Sequence, residues 1–168
     1  FPYTTLFRSI YSDDVFYALG ENGALITEEG WYYLGYGWFY VYANGTCASG
    51  WHYENGNWYL LGQNGYMFHD SLALDGYVSE EGDLVGDLYY AESSGIVRTE
   101  EGWLYLSNSP EDGGGGNWFY VQDGGKFKFG WVKSNDKWYY CNPVMYENET
   151  YEINGTEYSF DATGAWIE

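Results

Sequence analysis

Nine tryptophans and 21 tyrosines carry most of the chemistry that this 168-residue sequence offers. An aromatic face attracts cations through its ring quadrupole and stacks on flat apolar surfaces. Constellations of acids, bases and nucleophiles are not legible beside these rings. With 25 acidic residues, some carboxylate pair would always suit a two-carboxylate glycosidase. The doublets Glu28-Glu29, Glu80-Glu81 and Glu100-Glu101 precede glycine and read better as solvated strand starts. The two histidines, His52 and His69, have no Cys or His neighbour at metal-ligand spacing. No Ser-His-Asp or Cys-His signature stands out, and the glycines mark turns instead of a phosphate loop before a helix. Neither catalysis nor a cofactor nor a metal is expected.

The rings are spaced for hairpins. In Trp51-His52-Tyr53-Glu54-Asn55-Gly56-Asn57-Trp58-Tyr59-Leu60, Asn55-Gly56 is a strong two-residue turn signal, because both residues accept positive φ. That turn pairs 54 with 57, 53 with 58, 52 with 59 and 51 with 60. Side chains alternate along a strand, so Trp51, Tyr53, Trp58 and Leu60 share one face. A turn at Asn135-Asp136 likewise aligns Trp131, Lys133, Trp138 and Tyr140, and one at Gly35-Tyr36 aligns Trp31, Tyr33, Trp38 and Tyr40. The opposite face, with Tyr32, Phe39, Tyr59 and Tyr139, is expected to be core.

These hairpins belong to a repeat. Thr27-Glu28-Glu29-Gly30-Trp31 recurs as Thr99-Glu100-Glu101-Gly102-Trp103, and Gly-Trp pairs also stand at 50–51 and 130–131. An aromatic triplet follows each: Trp38-Phe39-Tyr40, Trp58-Tyr59-Leu60, Trp118-Phe119-Tyr120 and Trp138-Tyr139-Tyr140. A polar turn with Gly comes next, then an apolar residue, as in Asn44-Gly45-Thr46-Cys47 and Asn64-Gly65-Tyr66-Met67. Degenerate copies end at Leu25, Val97 and Trp166. A lone hairpin is marginal in water, so such units must stack and cover one another.

Gly-Trp-x4-Gly-x-Trp-Tyr-(Tyr/Leu) followed by Gly-x-Met, seen best from Gly50 to Met67, resembles the choline-binding or cell-wall-binding repeat of Gram-positive surface proteins. It is similar as well to the glucan-binding repeats of glucansucrases and the repeats of large clostridial toxins. The resemblance covers about residues 14–168 of a repeat array at 10–168, with a degenerate stretch at 72–100. It implies an all-β solenoid of stacked hairpins on a secreted, wall-associated protein. It also implies a choline site between consecutive hairpins, walled by the Gly-Trp tryptophan, the first ring of the triplet and a ring of the next unit. Trp31, Trp38, Tyr40, Trp51, Tyr53, Trp58, Trp103, Trp118, Tyr120, Trp131, Trp138 and Tyr140 are the candidate ligand contacts. The implied partner is choline-substituted teichoic acid or another cell-wall polysaccharide. Two readings stay open beside it: α-glucan stacked on the same rings, and a ligand-free spacer of a larger wall hydrolase or surface protein. Leu88 in place of tryptophan, and Glu157 and Ser159 at cage positions, argue against sites closed by those two units.

Composition agrees with such an array. Leu, Ile, Val and Phe together make up only about 20% of the chain, at the edge of the disordered class, but 21 Tyr and 9 Trp bring the aromatic content to 23%. A net charge of −19 excludes nucleic-acid backbone as the main partner. No apolar run approaches the roughly 18 residues of a membrane-spanning helix, so no membrane insertion is expected. Residues 1–9, Phe-Pro-Tyr-Thr-Thr-Leu-Phe-Arg-Ser, match a translated sequencing adapter in all nine positions. They are expected to be foreign to the protein, whose native part is then a piece of a longer chain. Cys47 takes the position of Met67, and Cys141 that of Val41, Leu61 and Val121. Both are expected to be unbonded apolar fillers.

Overall fold

The computed structural model describes residues 8–108 and 114–167, and every described element is a β-strand. In chain order these are β1 (Arg8–Ser12), β2 (Val15–Leu19), β3 (Gly30–Tyr33), β4 (Trp38–Val41), β5 (Gly50–Glu54), β6 (Asn57–Leu61), β7 (Ser71–Val78) and β8 (Leu84–Ala91). They continue with β9 (Gly102–Ser107), β10 (Gly116–Val121), β11 (Gly130–Ser134), β12 (Lys137–Cys141), β13 (Thr150–Ile153), β14 (Thr156–Phe160) and β15 (Trp166–Ile167). Consecutive strands pair as two-stranded antiparallel ribbons, and β15 adds a third strand to the last.

The registers follow from turn chemistry. Asn55 and Gly56 have φ of 51° and 85°, Asn135 and Asp136 of 49° and 60°. These left-handed pairs suit the tight hairpin turn whose twist matches the strands. Trp51 therefore faces Leu60 and Tyr53 faces Trp58, while Trp131 faces Tyr140 and Lys133 faces Trp138. The β3–β4 ribbon sets Trp31 against Tyr40 and Tyr33 against Trp38, also as the turn signal predicts. Asp13 and Asp14 make one more such turn, at φ of 51° and 62°. Of the segment resembling an adapter, residues 1–7 lie outside the described residues, and Arg8 and Ser9 open β1, opposite Leu19 and Ala18. Asp112 to Gly116, with four consecutive glycines and expected from sequence to be a hairpin tip, lies partly outside them too, and Gly116 opens β10.

What joins one hairpin to the next is a return segment that repeats its hydrogen bonds. After each ribbon the chain turns back through a tight loop, and one backbone N–H reaches the preceding hairpin. Cys47 donates to the Phe16 carbonyl, Met67 to Trp38, Val97 to Trp58, Phe127 to Leu88 and Met145 to Trp118. The residue after it donates to its own hairpin: Ala48 to Tyr40, Phe68 to Leu60, Arg98 to Tyr90, Lys128 to Tyr120 and Tyr146 to Tyr140. Each return segment thus satisfies edge groups that a free ribbon would leave open. The stretch 72–100, irregular in sequence, keeps both bonds through Val97 and Arg98. Backbone pairing does not need the missing tryptophan.

By compactness the chain forms two units, Phe1–Gly86 with Tyr90–Arg98, and Asp87–Tyr89 with Thr99–Glu168. In the first, Phe39, Leu34, Val41, Ala18 and Cys47 form a buried cluster with Tyr32 packed against it. Tyr40, Ala48, Leu61 and Met67 form another, flanked by Trp31 and Tyr59. In the second, Val132, Cys141 and Met145 are covered by Trp103, Tyr120 and Tyr139. Both cysteines are free and buried. Burial pushes the Cys47 thiol up to about 11 and the Cys141 thiol to about 12. Neither should react with a disulfide reagent such as dithionitrobenzoate at pH 8 in the native protein, whereas two equivalents should appear in denaturant. Rapid native labelling of either thiol would contradict its role as a core filler.

Candidate aromatic binding cavities

Each cavity is assembled from three hairpin units in sequence. In the first compact unit, a cavity of about 390 Å³ is lined by Trp31 and Trp38 of one hairpin and Tyr59 of the next. Met67 of the following return segment and Ser93 and Ser94 of the loop after β8 complete it. In the second, a cavity of about 430 Å³ is lined by Trp103 and Trp118, Tyr139, Met145, and Ala162 and Thr163, with Asn135 at its edge. Trp–Trp–Tyr–Met recurs at matching repeat positions, and neither lining contains a charged residue. Ring geometry repeats as well. Trp31 lies 4.9 Å from Tyr59 and Trp103 lies 5.0 Å from Tyr139, centroid to centroid. Flat rings and a polarisable thioether around a charge-free hollow suit a soft, weakly hydrated cation.

The tryptophans divide into two kinds. Those opening the triplet, Trp38, Trp58, Trp118 and Trp138, are between 40% and 44% exposed, so their faces are accessible in these four units. The Gly-Trp tryptophans lie deeper, and the indole N–H groups of three of them are tied down. Trp31 donates to Glu54 Oε2 at 2.7 Å, Trp51 to Asp75 Oδ2 at 2.8 Å and Trp103 to Ser134 Oγ at 3.2 Å. Each bond crosses to the following ribbon and fixes the ring plane, which a cation–π wall requires.

Tyr59 and Tyr139 pack against the buried clusters, as expected of their face, and also line the cavities, which was not expected. They are half-buried and close the two cavities, whereas Phe39 on the same strand face of its own hairpin is fully buried. Alternation within one ribbon could not show this, because the wall of each cavity is supplied by the opposite face of the next ribbon. Conversely, Tyr40 and Tyr120 stand apart from the aromatic cavities. Their hydroxyls donate to Glu29 Oε1 and Glu101 Oε1, each at 2.9 Å. Two of the three acidic doublets, Glu28-Glu29 and Glu100-Glu101, thus each supply a partner for the last ring of the triplet. Tyr140 packs on Trp131 at 5.3 Å, and Tyr53, exposed, lies 4.8 Å from Trp58. Trp51 and Trp58 meet edge to face at 5.9 Å.

A further ring cluster gathers at the last unit. Trp131 packs against Trp138 at 6.4 Å, Tyr158 at 4.9 Å and Trp166 at 6.1 Å. Tyr158 is the counterpart of Tyr59 and Tyr139, and Trp166 takes the methionine position. Glu157 and Ser159 flank Tyr158 on β14, and the ring contact to Trp131 is made by Tyr158. Lys133 Nζ lies 5.9 Å from the Trp138 ring centroid.

Tyr40 carries a testable pH response. Burial, reinforced by the Glu29 carboxylate, pushes its hydroxyl from 10.0 up to about 12. A raised pKa means that stability is intact below pH 10 and drains away as pH rises toward 12. The melting temperature should therefore fall across that window, and Glu29→Gln should shift one phenolate transition, followed by ultraviolet absorbance, to lower pH. An unshifted transition would exclude the Glu29 contact as a cause.

A second response tests the joint between units. Gly95 has φ of 83°, and a Cβ there would lie 2.3 Å from Met67 Cε. Gly95→Ala should push Met67 into the first cavity and weaken ligand binding there several-fold, besides costing about 1 kcal/mol of backbone strain. The matching contact is Gly164 on Met145, so Gly164→Ala should act on the second cavity alone.

Comparison with known proteins agrees with the hairpin pattern. Residues 49–67 and 130–143 match the family model described as "Putative cell wall binding repeat". In structure the chain is similar to CbpJ from Streptococcus pneumoniae TIGR4, with 28% identity and a TM-score of 0.56 over 95% of this chain and 47% of that one. It is similar to choline binding protein F from Streptococcus pneumoniae, with 27% identity and a TM-score of 0.55 over 98% of this chain and 48% of that one. CbpF in complex with ipratropium matches at 28% identity and a TM-score of 0.56, over 92% and 42%. The chain spans somewhat under half the length of these proteins. No curated protein matches it in sequence. The fold is an all-β array of hairpins of the kind found in choline-binding modules, and two of its stretches, 49–67 and 130–143, match the cell wall binding repeat.

Proposed function

We propose that this chain is a non-catalytic module that attaches a surface or secreted protein to a cell-wall polymer, by holding choline substituents in its aromatic cavities. The observation that carries this reading is the recurrence of Trp–Trp–Tyr–Met around two charge-free hollows. A quaternary ammonium cannot donate a hydrogen bond, so its recognition rests on ring faces, at about 0.5–2 kcal/mol for each. After the cost of association, one cavity holds choline in the millimolar range. Two or more cavities on a polymer that bears many cholines multiply that through effective concentration. The net charge of −19 raises the local concentration of cations and keeps a surface rich in rings soluble. Choline-substituted teichoic acid is the polymer that best fits this chemistry. Supporting the reading, one of the structurally similar proteins is choline binding protein F from Streptococcus pneumoniae.

A choline titration followed by tryptophan fluorescence tests it, with 3,3-dimethylbutan-1-ol as the uncharged isostere. Saturable quenching by choline and at least about tenfold weaker response to the alcohol are expected. Equal responses would show an apolar pocket with no preference for charge.

A further inference from the structure

The second compact unit holds another cavity, unlike the aromatic pair. About 470 Å³ in volume, it is walled by Trp131 and Tyr120 and edged by Gln122, Asp123, Lys128 and Lys133, with Glu101 behind Tyr120. Two carboxylates and two amines make the lining neutral in a chain of net charge −19. Among the described residues, the ion pair is Lys126 with Asp87. Among the described residues, Lys128 and Lys133 face this hollow without a carboxylate in salt-bridge reach, although acidic residues outnumber basic ones 25 to 6 in the whole sequence.

The cavity exists because of what replaces its counterparts in the first unit. There, Tyr40 occupies the position of Tyr120 and its flanks are covered by rings. Tyr42 packs on it at 5.6 Å, and His52 lies over it at 3.8 Å. In the second unit Gln122 stands for Tyr42 and Val132 for His52, while Asp123 and Lys128 replace Ala43 and Ala48. Two large rings are lost and an amide, a carboxylate and an amine are gained, all at one place.

We infer that this hollow beside Trp131 is a second kind of binding site, one for a neutral hexopyranose unit of a glycan. A simple anion would meet Asp123 and Glu101, and a cation would meet the two lysines. A hydroxyl-rich, uncharged ring needs donors and acceptors together, which the lysines, the carboxylates and the Gln122 amide supply. The apolar face of a sugar needs a ring to stack on, which Trp131 and Tyr120 supply. The site is separate from the choline cavities, since it shares no lining residue with them. It would let one module grip both a cationic substituent and the saccharide of a wall polymer.

Calorimetry and saturation-transfer NMR on the whole chain test this, with isomaltotriose and triacetylchitotriose as the two probes. One of them should bind in the millimolar range, and which one does separates a plain glucan from an acetamido-sugar glycan. Asp123→Ala with Lys128→Ala should weaken that binding at least about tenfold, through lost hydrogen bonds to charged groups, while leaving the choline response intact. Saturating choline should leave sugar binding unchanged. The inference is overturned if neither sugar binds at tens of millimolar, if the double variant binds as well as the parent, or if choline displaces the sugar. Because choline quenching is read separately, loss of the sugar site and loss of the choline reading remain distinguishable.

Discussion

Trp38→Ala should remove choline binding at the first cavity and Trp118→Ala at the second, each lowering the measured stoichiometry by one site. Together they should leave neither cavity able to retain the cation at millimolar concentration. Each ring contributes about 0.5–2 kcal/mol to a site whose total is about 4 kcal/mol at millimolar affinity, so loss of one wall takes the site beyond practical detection. Far-UV circular dichroism should be unchanged, because Trp38 and Trp118 are 42% and 40% exposed and the hydrogen bonds they accept from Met67 and Met145 use the backbone alone. Unchanged stoichiometry in either variant would show that its cavity is not a site. A collapse of the spectrum would show instead that the exposed ring holds the array together.

One residue further along the chain the expected effect moves from binding to stability. Phe39 is fully buried among Leu34, Val41, Ala18 and Cys47, and Phe39→Ala should cost about 3–5 kcal/mol. A domain's whole margin is about 5–15 kcal/mol, so the first compact unit should melt far earlier in urea, with a lowered midpoint and little change in slope. Phe119, at 4% exposure, is the matching residue of the second unit and should behave alike. The triplet Trp38-Phe39-Tyr40 thus assigns a different task to each ring. The first faces the cavity, the second fills the core, and the third is buried against Glu29. If Phe39→Ala left the urea midpoint within about 1 kcal/mol of the parent, this division would be wrong.

These contrasts also show what kind of information the sequence holds. Asn55-Gly56 and Asn135-Asp136 determine their registers by themselves, because a two-residue turn with both φ positive permits one pairing, and that pairing fixes which side chains share a face. Recurrence of the Gly-Trp pair and the triplet determined that such hairpins form an array, since one ribbon has no other way to bury its rings. The two thiols were likewise legible as fillers, from the apolar residues at equivalent positions.

Which face of the next hairpin closes a cavity was decided by the tertiary structure alone. Alternation describes one ribbon, whereas Tyr59 meets Trp31, and Tyr139 meets Trp103, through the angle at which successive ribbons stack. That angle is set by the return segments, whose N–H groups at Met67 and Met145 bond to the Trp38 and Trp118 carbonyls. It is set too by indole bonds such as Trp31 to Glu54, which join residues 23 apart in sequence. A turn signal acts over four residues and can fix a hairpin. A cavity built from three units depends on the packing between them, and no local pattern encodes it.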